Sequence, residues 1–440
     1  MKKKYRIILY TSIFLLCVVA SIILVVKKSN SVYEEESKPK VVKHKSMLSM
    51  NLEQTAGSGD YKTVTQSSWP TEGYKFNAEL SKCENGSTLS WDDTKKAVIM
   101  QGNVSDKCYV YFDIWIPSIA DYCTSGTDLA TCVKNFGDQG PSVSNIYIHN
   151  SSLTNGAGDN SYRYAGANPN NFVCFGSDAS PCPIDNLYRI IGVFGENYHG
   201  ANGKQLVKLI KYDYMTTDEL GTDGDYSQTY KEWGMDSTYK GTYGDGERIG
   251  VYYWNYKATG SATNTWSTSL LNKTNLNTNF INNIGTTWAN KIATVTWKVG
   301  GNTWANIGTK TSSVAYTNEI TNPVTTNTTD NATTYSAKIG LMYVSDYGFA
   351  ASPDAWTLTM SSYNNTTATN NNWMYMGLYE WTISRNAGSS DLAFSVHYDG
   401  LVYSNYVFSY SYGVRASFNL ESSVSYVSGS GSMSDPIVIN

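Results

Sequence analysis

The fold class is decided by one stretch near the C-terminus: Trp373-Met-Tyr-Met-Gly377, Glu380-Trp381-Thr-Ile-Ser384, Phe394-Ser-Val-His-Tyr-Asp-Gly400 and Tyr412-Gly-Val-Arg415-Ala-Ser-Phe-Asn-Leu420. Apolar residues alternate through it: Trp381 and Ile383, then Phe394, Val396 and Tyr398, then Val414, Ala416, Phe418 and Leu420. That period of two is the pattern of half-buried strands. Asp399-Gly400 between two such runs predicts a hairpin turn, because tight turns of this kind need positive φ. Trp381 is expected in the core. The class expected for this region is α+β and β-rich.

The rest of the composition agrees. The chain has 440 residues, a prior for more than one domain. Charged residues make up 16%, against about 25% in average globular proteins, and aromatic residues 13%. Tyr and Thr in place of Lys and Glu favour strands and polar loops. The first 28 residues hold six of the 33 bases and no acid, so the remainder is more acidic than the net charge of −4. An acidic body excludes nucleic acid as a partner, since a basic face does most of that attraction.

Ile7–Val26 is an uncharged run of 20 residues between Arg6 and Lys27. As a helix it spans about 30 Å, the thickness of the hydrocarbon layer. A cleaved signal peptide shares the basic start, but its apolar part is shorter and a small-x-small site follows it. Here Lys27-Lys28 follows directly. A transmembrane anchor is therefore expected, with the membrane as a partner through Ile7–Val26. Beyond Cys17 in that run, the cysteines fall as three close pairs: Cys83 and Cys108, Cys123 and Cys132, Cys174 and Cys182. An even count in sequential pairs predicts disulfides and an oxidising compartment. The expected localisation is a single-pass cell-membrane protein with its N-terminus inside and its ectodomain outside. No pair has C-x2-C spacing, so no metal is expected.

Residues 29–60 are polar and lack apolar period, as in a flexible linker. From 61 to 117 short β runs appear, including Ala97-Val-Ile-Met100 and Cys108-Tyr-Val-Tyr-Phe112, with Trp91 between the first two cysteines. A bridge across that separation stabilises by about 3 kcal/mol in the chain-entropy model, and so small a unit needs it. In the connector 118–160, Leu129, Cys132, Val133 and Phe136 fall at helical spacing and Gly137 follows as a stop.

Several runs carry a resemblance: Leu187-Tyr-Arg-Ile-Ile-Gly-Val-Phe194, Val207-Lys-Leu-Ile210, Ile339-Gly-Leu-Met-Tyr-Val-Ser-Asp-Tyr-Gly-Phe-Ala350, Trp381-Thr-Ile-Ser384 and Gly413-Val-Arg415. Together they resemble a family of uncharacterised surface proteins of gut Firmicutes and related wall-less bacteria. Their C-terminal domain of unknown function is related to the C-type-lectin-like fold of the sulfatase-modifying factors. The resemblance covers residues 161–440 and departs at Ala416, where the family carries Pro. It implies a C-type-lectin-like domain there. The expected layout is thus a cytoplasmic stub and anchor over 1–28, the linker, the stapled β domain, the connector and this domain.

The active relatives use late cysteines or a histidine cluster. This chain has no cysteine after Cys182, and His44, His149, His199 and His397 are scattered. Sugar-binding calcium motifs are absent, as are a G-x-S-x-G elbow, a phosphate loop and a dinucleotide fingerprint. Asp223-Gly-Asp225 and Gly244-Asp-Gly-Glu247 read as exposed turns. No cofactor, metal or catalytic residue is expected. Arg189 and Arg415 interrupt apolar runs, which is costly unless each is paired. Asp346 and Glu380 are the expected partners in structural ion pairs. The function expected is an extracellular binding or adhesion module for glycan or protein, with recognition on the Asn/Thr-rich loops between 212 and 335. The alternatives are a lectin-like enzyme with an unrecognised site and a purely structural surface component.

Overall fold

The computed structural model describes residues 48–440 apart from 66–67, 71, 104, 196–198, 202, 234–237, 259–261 and 326–331. The chain forms two compact units, one ending at Ile116 and the other running from Pro117 to Asn440.

The first unit is built on a four-stranded sheet ordered Tyr61–Val64, Leu48–Glu53, Cys108–Ile114, Tyr74–Cys83. Cys108–Ile114 alternates as its sequence does, burying Cys108, Val110 and Phe112. Phe112 gathers Trp69, Phe76 and Trp91 at ring distances of 5.7–5.9 Å. Cys83 lies directly opposite Cys108 in the register and is bonded to it. One expectation fails here. Leu48–Glu53 pairs along Cys108–Ile114, so the sheet begins inside the segment read as a tether. Leu48, Met50 and Leu52 do alternate at period two there, and Met50 and Leu52 are buried.

The second unit is organised by a seven-stranded sheet. Its order is Ile339–Gly340, Ser417–Asn419, Leu206–Lys211, Leu187–Phe194, Tyr162–Tyr164, Ile146–Ile148, with Phe172–Cys174 also pairing Leu187–Phe194. Every residue of Leu187–Phe194 and of Leu206–Lys211 is buried, so both faces of the sheet centre are covered. Gly192 sits where the register shifts, and a Cβ there would meet the Tyr162 carbonyl at 2.2 Å. The expected helix is present as Leu129–Gly137, with Asp128 capping it through the Thr131 N–H and Leu129, Cys132, Val133 and Phe136 buried. It packs in the main core with Ile146, so 118–160 is part of this unit rather than a connector to it.

A three-stranded sheet, Glu380–Arg385, Leu392–Val396 and Val402–Tyr406, closes the opening stretch of the sequence. The hairpin turns at Asp399-Gly400, with Gly400 at φ 97°. Glu380–Arg385 is not half-buried as its alternation suggests: all six residues are buried. Its polar groups are satisfied internally: Thr382 donates to the Phe394 carbonyl on the paired strand, and the Trp254 indole donates to the Thr382 carbonyl.

The expected fold class needs correction. No helix among the described residues is long and apolar enough to cross a membrane. The expected transmembrane segment Ile7–Val26 lies outside the described residues. In place of a class with a transmembrane helix and a C-type-lectin-like domain, the described protein is β-rich, with helices and three disulfides, in two units.

Candidate functional site

The cysteines pair as expected: Cys83–Cys108, Cys123–Cys132 and Cys174–Cys182. Cys83, Asp106 and Cys108 bring three metal-type ligand atoms together, but both sulfurs are tied in the first disulfide.

Arg415 pairs with Glu380, one of the two carboxylates named as candidate partners. Arg415 donates from Nε to Glu380 Oε1 at 2.8 Å and from Nη2 to Oε2 at 2.9 Å, and also to the Met374 carbonyl at 2.7 Å. Both side chains are buried, and Glu380 keeps Arg415 charged, outweighing the desolvation that opposes it. Trp381 is fully buried and donates to the Tyr252 carbonyl.

Arg189 differs from expectation. Among the described residues no carboxylate meets it. Nε donates to Asn171 Oδ1 at 2.7 Å and Nη2 to the Pro169 carbonyl at 2.9 Å, while the rings of Phe172 and Trp373 stack on the guanidinium at 4.4 and 4.6 Å. Neutral acceptors and ring faces replace the ion pair.

Asp346 is paired, but with two cations that the sequence did not single out. Lys208 Nζ donates to Asp346 Oδ2, and Arg163 Nη1 lies 3.6 Å from Oδ1. Arg163 comes from the strand Tyr162–Tyr164, Lys208 from Leu206–Lys211 and Asp346 from the helix Val344–Ala350. Arg163 donates to Ser161 Oγ and to Asp159 Oδ2, both at 2.8 Å, and Tyr316 O–H donates to Asp159 Oδ2 at 2.7 Å. His199 Nε2 lies 3.5 Å from Asp159. The side chains of all five are at most 3% exposed. Burial pushes Asp346 up, but Lys208, His199 and Arg163 together hold it below the usual carboxylate range. Asp159 is held low against burial by Arg163 and His199. Burial brings His199 down to about 4, so its imidazole is neutral at pH 7 and the cluster balances two cations with two carboxylates. Nearby, Glu319 accepts the N–H groups of Val344 and Ser345 and the Ser384 hydroxyl, and burial pushes its carboxyl up. Apart from Asp159 and Arg163, four residues apart, the cluster joins residues far apart in the chain, so no local motif announces it.

The second polar feature lies on the surface. Four tyrosines of the stretch 398–410 stand out: Tyr398, Tyr403, Tyr406 and Tyr410 are 37–48% exposed. Tyr398 and Tyr403 belong to a continuous chain of rings. Trp304 meets Tyr403 at 4.9 Å, Tyr403 meets His397 at 5.6 Å, His397 meets Tyr379 at 4.7 Å, and Tyr379 meets Tyr398 at 5.4 Å. Amides and hydroxyls are interleaved with them. Asn405 Oδ1 lies 3.1 Å from His397 Nε2 and accepts from Ser395 O–H at 2.8 Å, and Asn386 donates to Ser404 Oγ. Burial lowers His397, so it is neutral and contributes a ring and a nitrogen rather than charge. The segment 397–410 holds one acid, Asp399, and no Lys or Arg. Among the described residues, the opening stretch holds four of the exposed tyrosines, whereas the loops 212–335 expose Tyr256 and carry part-exposed Tyr226, Tyr253, Trp304 and Tyr335.

No family model, no curated protein and no solved structure matches this chain.

Proposed function

We propose that this protein is an extracellular binding module of the cell surface that takes a neutral glycan on the aromatic face formed by Trp304, His397, Tyr398 and Tyr403. The single observation that carries the reading is the run of part-exposed rings interleaved with Asn and Ser side chains. Ring faces stack on the C–H faces of sugars with large contact area and little entropy loss, and amides and hydroxyls meet sugar hydroxyls. The absence of Lys and Arg between 397 and 410 favours an uncharged ligand over a phosphate or sulfate. The outside placement draws on the three disulfides, which persist in oxidising compartments. The resemblance to bacterial surface proteins points the same way.

A glycan array probed with the protein and with its Tyr403→Ala variant tests this. Binding by the wild type that the variant loses supports it. No binding to any neutral glycan sinks it, and capture of a polypeptide at the same rings would redirect it to protein adhesion.

A further inference from the structure

The buried cluster contains an arrangement that an ion pair alone does not require. Lys208 Nζ lies 2.5 Å from Asp346 Oδ2, in a site where both side chains are at most 1% exposed. Three rings enclose the amine: Tyr343 at 4.3 Å, Trp297 at 5.2 Å and Phe194 at 5.8 Å. Next to this contact two buried polar atoms, Arg163 Nη1 and Asp346 Oδ1, hydrogen-bond to no described residue, although they face one another at 3.6 Å. A donor and an acceptor left slightly too far apart in a dry interior are costly. The same geometry fits a state in which negative charge builds on Oδ1 and draws the guanidinium in.

We propose that Lys208 and Asp346 are joined by a covalent amide, formed within the folded chain between Nζ and the side-chain carboxyl carbon. The ammonium first passes one proton across the contact to Oδ2, which leaves an amine beside a carboxylic acid with no change in net charge. The Nζ lone pair then attacks the carboxyl carbon, and the C=O electron pair moves onto Oδ1 opposite Arg163. A second proton leaves nitrogen for the hydroxyl at Oδ2. The carbon–Oδ2 bond breaks with its electron pair, and one water departs. Oδ1 remains as the amide carbonyl, still facing Arg163. Amine and acid give amide and water, with no oxidant, reductant or cofactor.

Three physical factors favour the step. First, the reacting groups are held in contact, and well-oriented intramolecular reactions reach effective molarities of about 10⁵–10⁸ M. Second, burial in the ring-lined site lowers Lys208 and so favours its neutral, nucleophilic form, while Asp346, held low by its cations, takes up the proton only within the contact. Third, a buried amide needs one donor and one acceptor, far less than two buried ions need. The crosslink joins the central strand Leu206–Lys211 to the helix Val344–Ala350 and closes a loop of more than a hundred residues. The ion-pair network around it keeps Arg163 matched to Asp159.

The test is the denatured, reduced intact mass of the full chain purified from the cells that make it, followed by peptide mapping. The expected result is a mass lower than the sequence by one water, with a branched peptide linking Lys208 to Asp346. Lys208→Arg keeps the cation but supplies no such nucleophile, and its mass should be full. A full mass for the wild type overturns the proposal. So does a lost water with no branched peptide, which is what a cyclised aspartate gives, or a lost water that persists in Lys208→Arg. The wild-type measurement decides the matter even where the variant does not fold.

Discussion

Glu380→Gln is the sharpest perturbation of the second unit. It keeps the size of the side chain and one carbonyl oxygen, but removes the counter-charge of Arg415. The guanidinium then stays buried, 1% exposed, facing an amide and the Met374 carbonyl. Breaking a buried pair by neutralising one partner costs about 3–5 kcal/mol. A Coulomb estimate agrees: two unit charges about 4 Å apart at an effective dielectric constant near 20 interact by about 4 kcal/mol. Urea unfolding followed by tryptophan emission reads the loss, since Trp254, Trp266, Trp297, Trp356 and Trp381 are buried in this unit. The companion double variant, Glu380→Met with Arg415→Met, removes both charges together and is expected to lose less than the two single changes summed. Arg415→Ala alone should reduce the yield of folded protein. A Glu380→Gln protein within about 1 kcal/mol of wild type would refute the reasoning, because it would mean that the pair is not desolvated.

Two further outcomes follow from the same interior. The folded His199 titrates at about 4 and an unfolded histidine at about 6.5, so between those values the unfolded chain binds a proton that the folded chain does not. Stability should therefore fall as pH drops through that window, by about 1.4 kcal/mol per unit and about 3 kcal/mol in all. His199→Asn should reduce the slope of urea midpoints measured between pH 7 and pH 4.5, leaving the part carried by buried His149; an unchanged slope contradicts the assignment. Cys83→Ser with Cys108→Ser should destabilise the first unit by about 3 kcal/mol. Thiol counting on the native protein should find none of the six bridged cysteines reactive, and six free thiols would remove the argument for an external compartment.

Local signals survived into the structure; long-range ones did not. Leu129–Gly137 was legible because its apolar stripe and its stop lie within a few turns. The strand Cys108–Ile114 and the Asp399-Gly400 hairpin were legible for the same reason. That Arg415 would meet a carboxylate followed from the cost of a buried cation, which leaves few ways to satisfy it. That logic fell short for Arg189, whose cost is met by Asn171, a backbone carbonyl and two ring faces rather than by an acid. Lys208 passed as a polar interruption in Val207-Lys-Leu-Ile210, because its strand is covered on both faces and a strand's own pattern does not say so. Asp159 and Arg163 sit four residues apart, but His199, Asp346 and Lys208 come from separate segments, so no spacing could have grouped the five. The aromatic face was hidden by abundance. With 35 tyrosines, sequence does not separate exposed Tyr403 from buried Tyr412, nine residues on and 2% exposed. The five-residue strand Val402–Tyr406 exposes both Tyr403 and Tyr406, which breaks the strict alternation that would have marked one face.

The most direct test of the account is the affinity of the protein for immobilised neutral glycans, measured beside a Tyr403→Ala, Tyr398→Ala double variant of matched stability. Each stacking ring contributes about 0.5–1.5 kcal/mol beyond its buried area, so loss of the two should weaken binding by about tenfold or more. Unchanged urea midpoints for the variant are expected, since both side chains are 37–47% exposed. A wild type that binds and a folded variant that does not is the predicted result. A variant that binds as tightly as the wild type would contradict the claim that this face is the binding surface.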